Sequence, residues 1–181
     1  MRRSARAQRA AAGFTLIELL VVVAIIALLT AGAVLSMSFA GRDRDLERES
    51  DRLLALMNYA REAAELQTRD YGILFQEDGY EFLAYDVQLS QWRSVTEDDA
   101  LGARKLPDGL GMKLTVDARP VVLKRPVDAH DKTPQVMIFA NGDLSSFEAR
   151  LERNGGVRWV TVAQDDKGQL LEQPMQQLPE R

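Results

Sequence analysis

Between Phe14 and Ala40 the chain carries one ionisable side chain, Glu18, in a run that is otherwise uncharged and largely apolar. As a helix this run is long enough to cross a bilayer core, which needs about 20 apolar residues. A carboxylate placed there costs a few kcal/mol on insertion scales, so an intramembrane acid is read first as functional. Glu18 is four residues beyond Phe14, about 6 Å along a helix, so it could also snorkel toward headgroups. Ahead of the run stand Arg2, Arg3, Arg6 and Arg9, and then the stretch Gly13-Phe14-Thr15-Leu16-Ile17-Glu18. An export signal that is removed has its small residues after the apolar run. Here the small residue, Gly13, precedes it, and a cut there removes the charge while keeping the apolar helix.

The other residues capable of chemistry are weaker candidates. His130 is the one histidine and sits between Asp128 and Asp131, no cysteine exists to act as nucleophile or thiolate ligand, and Ser145 and Ser146 lack a glycine-flanked nucleophile elbow. Two acidic clusters, Glu97-Asp98-Asp99 and Asp165-Asp166, could attract calcium. Calcium takes six to eight oxygen ligands from several loop positions, which neither cluster supplies alone. They read as solvated turns. No catalytic residue, metal site or cofactor is expected, and an enzyme is disfavoured.

Length allows the apolar helix and one compact domain. The chain carries 23 basic and 27 acidic side chains, and four of the basic ones lie in the leader. The positive-inside rule keeps those four in the cytoplasm and sends the remainder across the membrane. The acidic remainder disfavours a nucleic-acid footprint, which shows a basic face or stripe. With no cysteine, stability rests on the core alone.

These residues must be positioned by a helix and a sheet. Gly32 and Gly41 are places where the helix could loosen. From Arg42 to Arg69 the residues are helix formers, with Leu46, Leu53, Met57, Ala60 and Ala64 on one stripe that should lie against a sheet. Asp43, Glu47 and Asp51 form one charged line and Arg44, Arg48 and Arg52 another beside it, which predicts the pairs Arg44 with Glu47 and Arg48 with Asp51. Alternation then predicts a hairpin of Tyr71, Ile73 and Phe75 with Tyr80, Phe82 and Ala84 about Glu77-Asp78-Gly79. Trp92 to Val95, Met112 to Val116 and Pro120 to Leu123 read as strands, with loops over Thr96 to Gly102 and Arg125 to Thr133. Val136 to Phe139 reads as a central strand. The Asn141-Gly142 turn then predicts a hairpin with the alternating strand Phe147 to Glu152. Asn154-Gly155-Gly156 turns the chain into a strand from Val157 to Ala163, and Asp165 to Gly168 gives a last turn. The expected class is α+β, a long helix packed on an antiparallel, sandwich-like two-sheet domain. The divisions are 1–13 leader, 14–40 membrane and assembly helix, 41–69 its continuation, 70–172 β-rich head and 173–181 loose tail.

The stretch Gly13 to Glu18, with its basic leader and long apolar follow-on, resembles the prepilin signature of the type IV filament superfamily of pilins and secretion pseudopilins. The resemblance implies a pilin-like fold and cleavage after Gly13 by a membrane prepilin peptidase, which also methylates the new amine of Phe14. It further implies that Glu18 pairs with the terminal amine of a neighbouring subunit. Two further segments resemble the protein H family of type II secretion minor pseudopilins. One is Leu53 to Tyr71, with Asn58-Tyr59-Ala60-Arg61-Glu62-Ala63 and the Tyr71-Gly72 entry to a strand. The other is Pro134 to Phe147, with its Asn-Gly-Asp turn and Ser-Ser-Phe. With the amino-terminal motif these cover about half of the chain. This second resemblance implies a single-pass inner-membrane protein whose head stands in the periplasm. Its partners would be the other minor pseudopilins and the major pseudopilin, in a pseudopilus that exports folded proteins and whose tip it joins to the shaft. The charges Asp43, Arg44, Glu47, Arg48, Asp51 and Arg52 would then be either a solvated, self-paired face or a register-setting contact between subunits. A minor pilin of a type IV pilus, serving assembly or DNA uptake, is the alternative. Against DNA uptake, Arg150, Arg153 and Arg158 are interleaved with Glu148 and Glu152. A single-pass anchored periplasmic binding domain is a further alternative.

Overall fold

The structure, a computed structural model, describes residues 16–124, 132–153, 155–165 and 167–178, and for 31–43 the backbone alone. The chain divides into two units, Met1–Arg42 and Asp43–Arg181. Helix α1, Leu16–Gln67, contributes to both and is helical through Gly32 and Gly41.

In the first unit the side chains from Leu16 to Leu29 are exposed all round the helix. Thr30 returns its hydroxyl to the carbonyl of Ile26 at 2.8 Å, which satisfies its one polar group within the helix. Among the described residues no helix is long and apolar enough to cross a membrane. The run expected to do so continues past Thr30 into residues whose side chains lie outside the description.

In the second unit α1 buries Leu46, Leu53, Met57, Ala60 and Ala64 completely. The helix ends in a Schellman arrangement: Thr68 takes φ 50°, and the Arg69 N–H reaches back to the Ala64 carbonyl at 3.2 Å. That sharp stop delivers Tyr71 directly into a strand. One antiparallel sheet holds β1 (Tyr71–Gln76), β2 (Gly79–Asp86), β3 (Gln91–Ser94), β4 (Arg104–Lys105) and β7 (Val136–Ile138). The other holds β5 (Leu110–Val116), β6 (Arg119–Val121), β8 (Phe147–Arg153), β9 (Arg158–Gln164) and β10 (Leu170–Gln177). The first runs β3-β2-β1-β7 with β4 also on β2, and the second runs β10-β9-β8-β5-β6. Inward rows such as Ile73 opposite Phe82, and Leu114 opposite Ala149 opposite Val162, meet the α1 stripe in one core. The fold is α+β.

Three expectations are corrected. Val136 to Phe139 is not a central strand: β7 ends the order β3-β2-β1-β7, with β1 as its neighbouring strand, and lies at the sheet edge. Its apolar residues are explained by the core on one side, while Phe139 is left 40% exposed. Nor does Asn141-Gly142 join two strands of one hairpin. The turn forms, with Gly142 N–H on the Phe139 carbonyl at 2.8 Å, and it is followed by the Ile138–Leu144 bridge, with Phe139 N–H on the Asp143 carbonyl and Ser145 N–H on the Met137 carbonyl, but β8 does not pair with β7. The chain then leaves one sheet for the other. Finally, Gln173 to Gln177 is no loose tail but the end of β10, paired to β9 as far as Gln177 opposite Arg158. An edge position and a register shift between Gln173 and Gln176 accommodate Pro174, which can donate no ladder hydrogen bond.

Two polar contacts tie α1 to β10 and the turn before it. The Ser50 hydroxyl donates to Glu172 Oε2 at 2.7 Å, and Arg61 Nη1 donates to the Gly168 carbonyl at 3.2 Å. Burial raises the Glu172 carboxyl above its ordinary range; the Ser50 hydrogen bond opposes the rise, and Asp51 and Glu47 add to it. A folded-state pKa above the unfolded one means that the native state binds the proton more tightly, so this contribution to stability is lost as pH rises through the folded value.

Two outcomes are expected from this packing. A Cβ at Gly79 would overlap the Arg104 carbonyl oxygen, where β2 meets β4; Gly79→Ala should therefore cost about 1–3 kcal/mol of stability in urea unfolding. Glu172→Gln keeps an oxygen acceptor for Ser50 and removes the titration. Between acidic and neutral pH the urea midpoint of the parent chain should fall relative to that of the variant; parallel midpoints would show that Glu172 carries no linkage.

Candidate functional site

Gly13 and Phe14, where processing is expected, lie outside the described residues. Glu18 falls in the first turn of α1 and is exposed, flanked by the exposed apolar side chains of Leu16, Ile17, Leu19 and Leu20. A carboxylate so placed on an apolar helix has a strong electrostatic reason to meet a cation, because burial among apolar groups is costly for the charged form alone.

The charged lines at the start of the second unit are arranged differently from the expectation. Arg44, Glu47, Arg48, Asp51 and Arg52 are exposed, and the Asp43 side chain lies outside the description. Arg48 pairs with Asp45, and Arg52 pairs with Glu49 at 3.1 Å. Arg48 thus takes Asp45 in place of the expected Asp51, and the expected pair of Arg44 with Glu47 is not formed among the described residues. Helical side chains lean toward the amino terminus, so a long arginine reaches the acid three residues before it. Arg48 also donates from Nε to the Arg44 carbonyl at 3.1 Å.

Glu49 is the residue that sequence reading missed. It is 3% exposed and accepts a hydrogen bond from the Tyr80 hydroxyl at 3.1 Å. Burial, and then the Glu49 carboxylate, push the Tyr80 phenol far above its ordinary value, which keeps it a neutral donor. The available signal was periodicity: positions 49 and 50 fall between Leu46 and Leu53 on the buried stripe, so charge or hydroxyl there needs a partner in the core.

The acidic clusters are occupied by local structure. Asp98 accepts from the Ala100 N–H at 2.8 Å and from the Tyr59 hydroxyl at 2.6 Å, which ties α1 to this loop. The Tyr59 hydrogen bond, followed by that of Ala100, holds the Asp98 carboxyl below its ordinary value. Glu97 meets Arg69 at 3.7 Å, and Asp165 accepts from the Lys167 and Gln169 N–H groups within its turn. Among the described residues no three His, Cys, Asp or Glu side chains are grouped to hold a metal. His130 and Asp166 lie outside the description. Ser145 is engaged in the backbone, its Oγ accepting from the Met137 N–H at 2.9 Å.

The arginines weighed for DNA binding do not share one face. Arg150 and Arg153 are three residues apart on β8 and so point to opposite sides of the sheet. Arg150 stacks over Trp159 at 3.9 Å and lies 3.6 Å from Glu152, which Lys113 holds at 2.9 Å. Arg153 is buried.

Residues 8–34 match the family described as prokaryotic N-terminal methylation motif. Type II secretion system protein H of Pseudomonas aeruginosa is 37% identical over 153 residues, covering 81% of this chain and 86% of that one. The protein of the same name from Aeromonas hydrophila is 31% identical over 166 residues, covering 87% and 91%. Among solved structures, the fold is similar to the minor pseudopilin EpsH of Vibrio cholerae, with TM-score 0.58 at 16% identity over 71% of this chain and 96% of that one. It is also similar to E. coli GspH, with TM-score 0.52 at 20% identity over 71% and 87%. Sequence identity over most of both chains, with the methylation motif at the front and the pseudopilin fold behind it, places this chain in the type II secretion system protein H family.

Proposed function

We propose that the protein is a minor pseudopilin, a structural subunit rather than an enzyme. It would join the tip complex of other minor pseudopilins to the major-pseudopilin shaft, in a periplasmic filament that exports folded proteins. The observation that carries this reading is the 37% identity to a type II secretion protein H over 81% of the chain. In this reading a prepilin peptidase cuts after Gly13 and methylates Phe14, residues 14–40 anchor the protein in the inner membrane, and the head stands in the periplasm. The exposed apolar side chains from Leu16 to Leu29 support the anchor, because such a surface needs lipid or a neighbouring apolar helix around it. Glu18 would pair with the terminal amine of a neighbouring subunit and neutralise both charges during assembly. Arg44, Glu47, Arg48, Asp51 and Arg52, with Asp43, would set register between subunits. No nucleic acid is needed.

The test combines a deletion with one substitution. Without this chain, folded exoproteins should accumulate in the periplasm while surface pili and DNA uptake stay normal; normal export with lost pili or transformation would place the protein in a type IV pilus instead. In the complemented strain, Glu18→Ala should leave cleavage and methylation intact by mass spectrometry of the mature terminus. Its incorporation into the filament should drop about tenfold, the factor for roughly 1.4 kcal/mol. Wild-type incorporation of that variant would remove Glu18 from the assembly mechanism.

A further inference from the structure

Asn141-Gly142 lies in the turn after β7, where the chain leaves the first sheet for the second. An Asn-Gly pair is chemically labile, because no Cβ hinders the glycine nitrogen from attacking the asparagine side-chain carbonyl carbon. The nitrogen gives its proton to hydroxide and bonds to that carbon, while ammonia leaves with a proton taken from water. A succinimide ring remains. Water then opens the ring at either carbonyl and leaves aspartate or isoaspartate, with one more negative charge than before.

In the folded head the groups that must react are held apart from one another. The attacking group, the Gly142 N–H, donates to the Phe139 carbonyl at 2.8 Å. The amide under attack is fixed at both ends: Asn141 Nδ2 donates to Asp143 Oδ2 at 2.7 Å, and Asn141 Oδ1 accepts from the Asp143 N–H at 3.1 Å. Carboxyl groups surround the turn. Glu65 Oε1 lies against Gly142, where a Cβ would stand, and Asp70 Oδ1 accepts from the Ala140 N–H at 2.8 Å. Negative charge must gather on the Gly142 nitrogen before it attacks, and the Glu65 and Asp143 carboxylates oppose that charge. Gly142 is buried at φ 83°, a conformation that favours glycine, so the turn needs the residue that makes the pair labile.

We propose that Asn141 is a latent deamidation site, closed by the fold and by Asp143 in particular, which opens when the turn comes undone. A converted residue 141 puts a carboxylate beside Asp143 in place of the Nδ2 donor. The turn then loses a hydrogen bond and gains a like-charge contact, so it closes less well than before. Unfolding of this crossing thereby leaves a covalent mark on the chain.

The test ages the full-length chain in detergent at mildly alkaline pH, folded or in guanidinium chloride, and reads the peptide that holds residue 141 by mass spectrometry. Asn154-Gly155, the other Asn-Gly pair of the sequence, calibrates the unfolded rate in the same sample. In denaturant the two pairs should convert alike. In the folded chain residue 141 should convert at least about tenfold more slowly than in denaturant, a factor of the size that a held hydrogen bond supplies. Asp143→Ala should raise the folded rate about fivefold, since it removes the Nδ2 partner and one opposing charge. Equal folded and unfolded rates in the parent overturn the proposal, and so does a folded Asp143→Ala chain that converts no faster than the parent. Where Asp143→Ala does not fold, Asn141→Asp decides in its place. It should unfold at lower urea than the parent, and a midpoint at or above the parent's overturns the proposal.

Discussion

The fold depends on one buried stripe of α1. Leu46, Leu53, Met57, Ala60 and Ala64 are fully enclosed, and they meet the inward rows of both sheets in a single core. Ala60 and Ala64 end at Cβ, so at the last turns the helix lies against the sheet with little side-chain bulk between. Each sheet alone would leave one apolar face bare, and the helix alone would leave its stripe bare. Their joint burial is what makes the other contacts possible. The Schellman stop at Thr68 keeps β1 close to the helix that precedes it, and the Ser50 and Arg61 contacts draw the last hairpin onto the same helix.

The polar groups within that core have different physical status from those on the surface. Glu49 with Tyr80 is enclosed in the core, whereas Glu81 with Lys132 at 2.7 Å is largely shielded from water on the opposite face of the first sheet. The Lys132 ammonium also reaches Ser94 Oγ at 2.8 Å, which fastens the chain just before β7 onto the outer face of the first sheet. Gln135 extends this fastening: its side-chain amide accepts from the Phe75 N–H and donates to the Phe75 carbonyl, imitating a further rung of ladder beside β7. By contrast, Arg48 with Asp45 is exposed, and such pairs contribute roughly 0–1 kcal/mol. The exposed charges at the start of the second unit are therefore weak fold stabilisers.

Local periodicity made much of this visible in the residues themselves. The α1 stripe, the β1–β2 hairpin and the alternation of Phe147, Ala149 and Leu151 were legible because each depends on residues a few positions apart. So was the motif from Gly13 to Glu18, which lies within the match to the N-terminal methylation motif over residues 8–34. The Asn141-Gly142 signal was also correct as a turn and misleading about its partner strand, since turn chemistry does not say which sheet the next strand joins. β10 was hidden by Pro174 and by glutamines, which weaken alternation; it is a strand because β9 offers it a ladder. Ser50 and Glu172 are 122 positions apart, and nothing in either neighbourhood marks the other as partner. Sequence alone thus determined the leader motif, the helix face and most strand locations, through residue type, spacing and side-chain period. Tertiary structure alone decided the pairing order of the sheets, which acid each arginine reaches, and the enclosure of Glu49 and Arg153, because burial and long-range contact exist only once distant segments share a core.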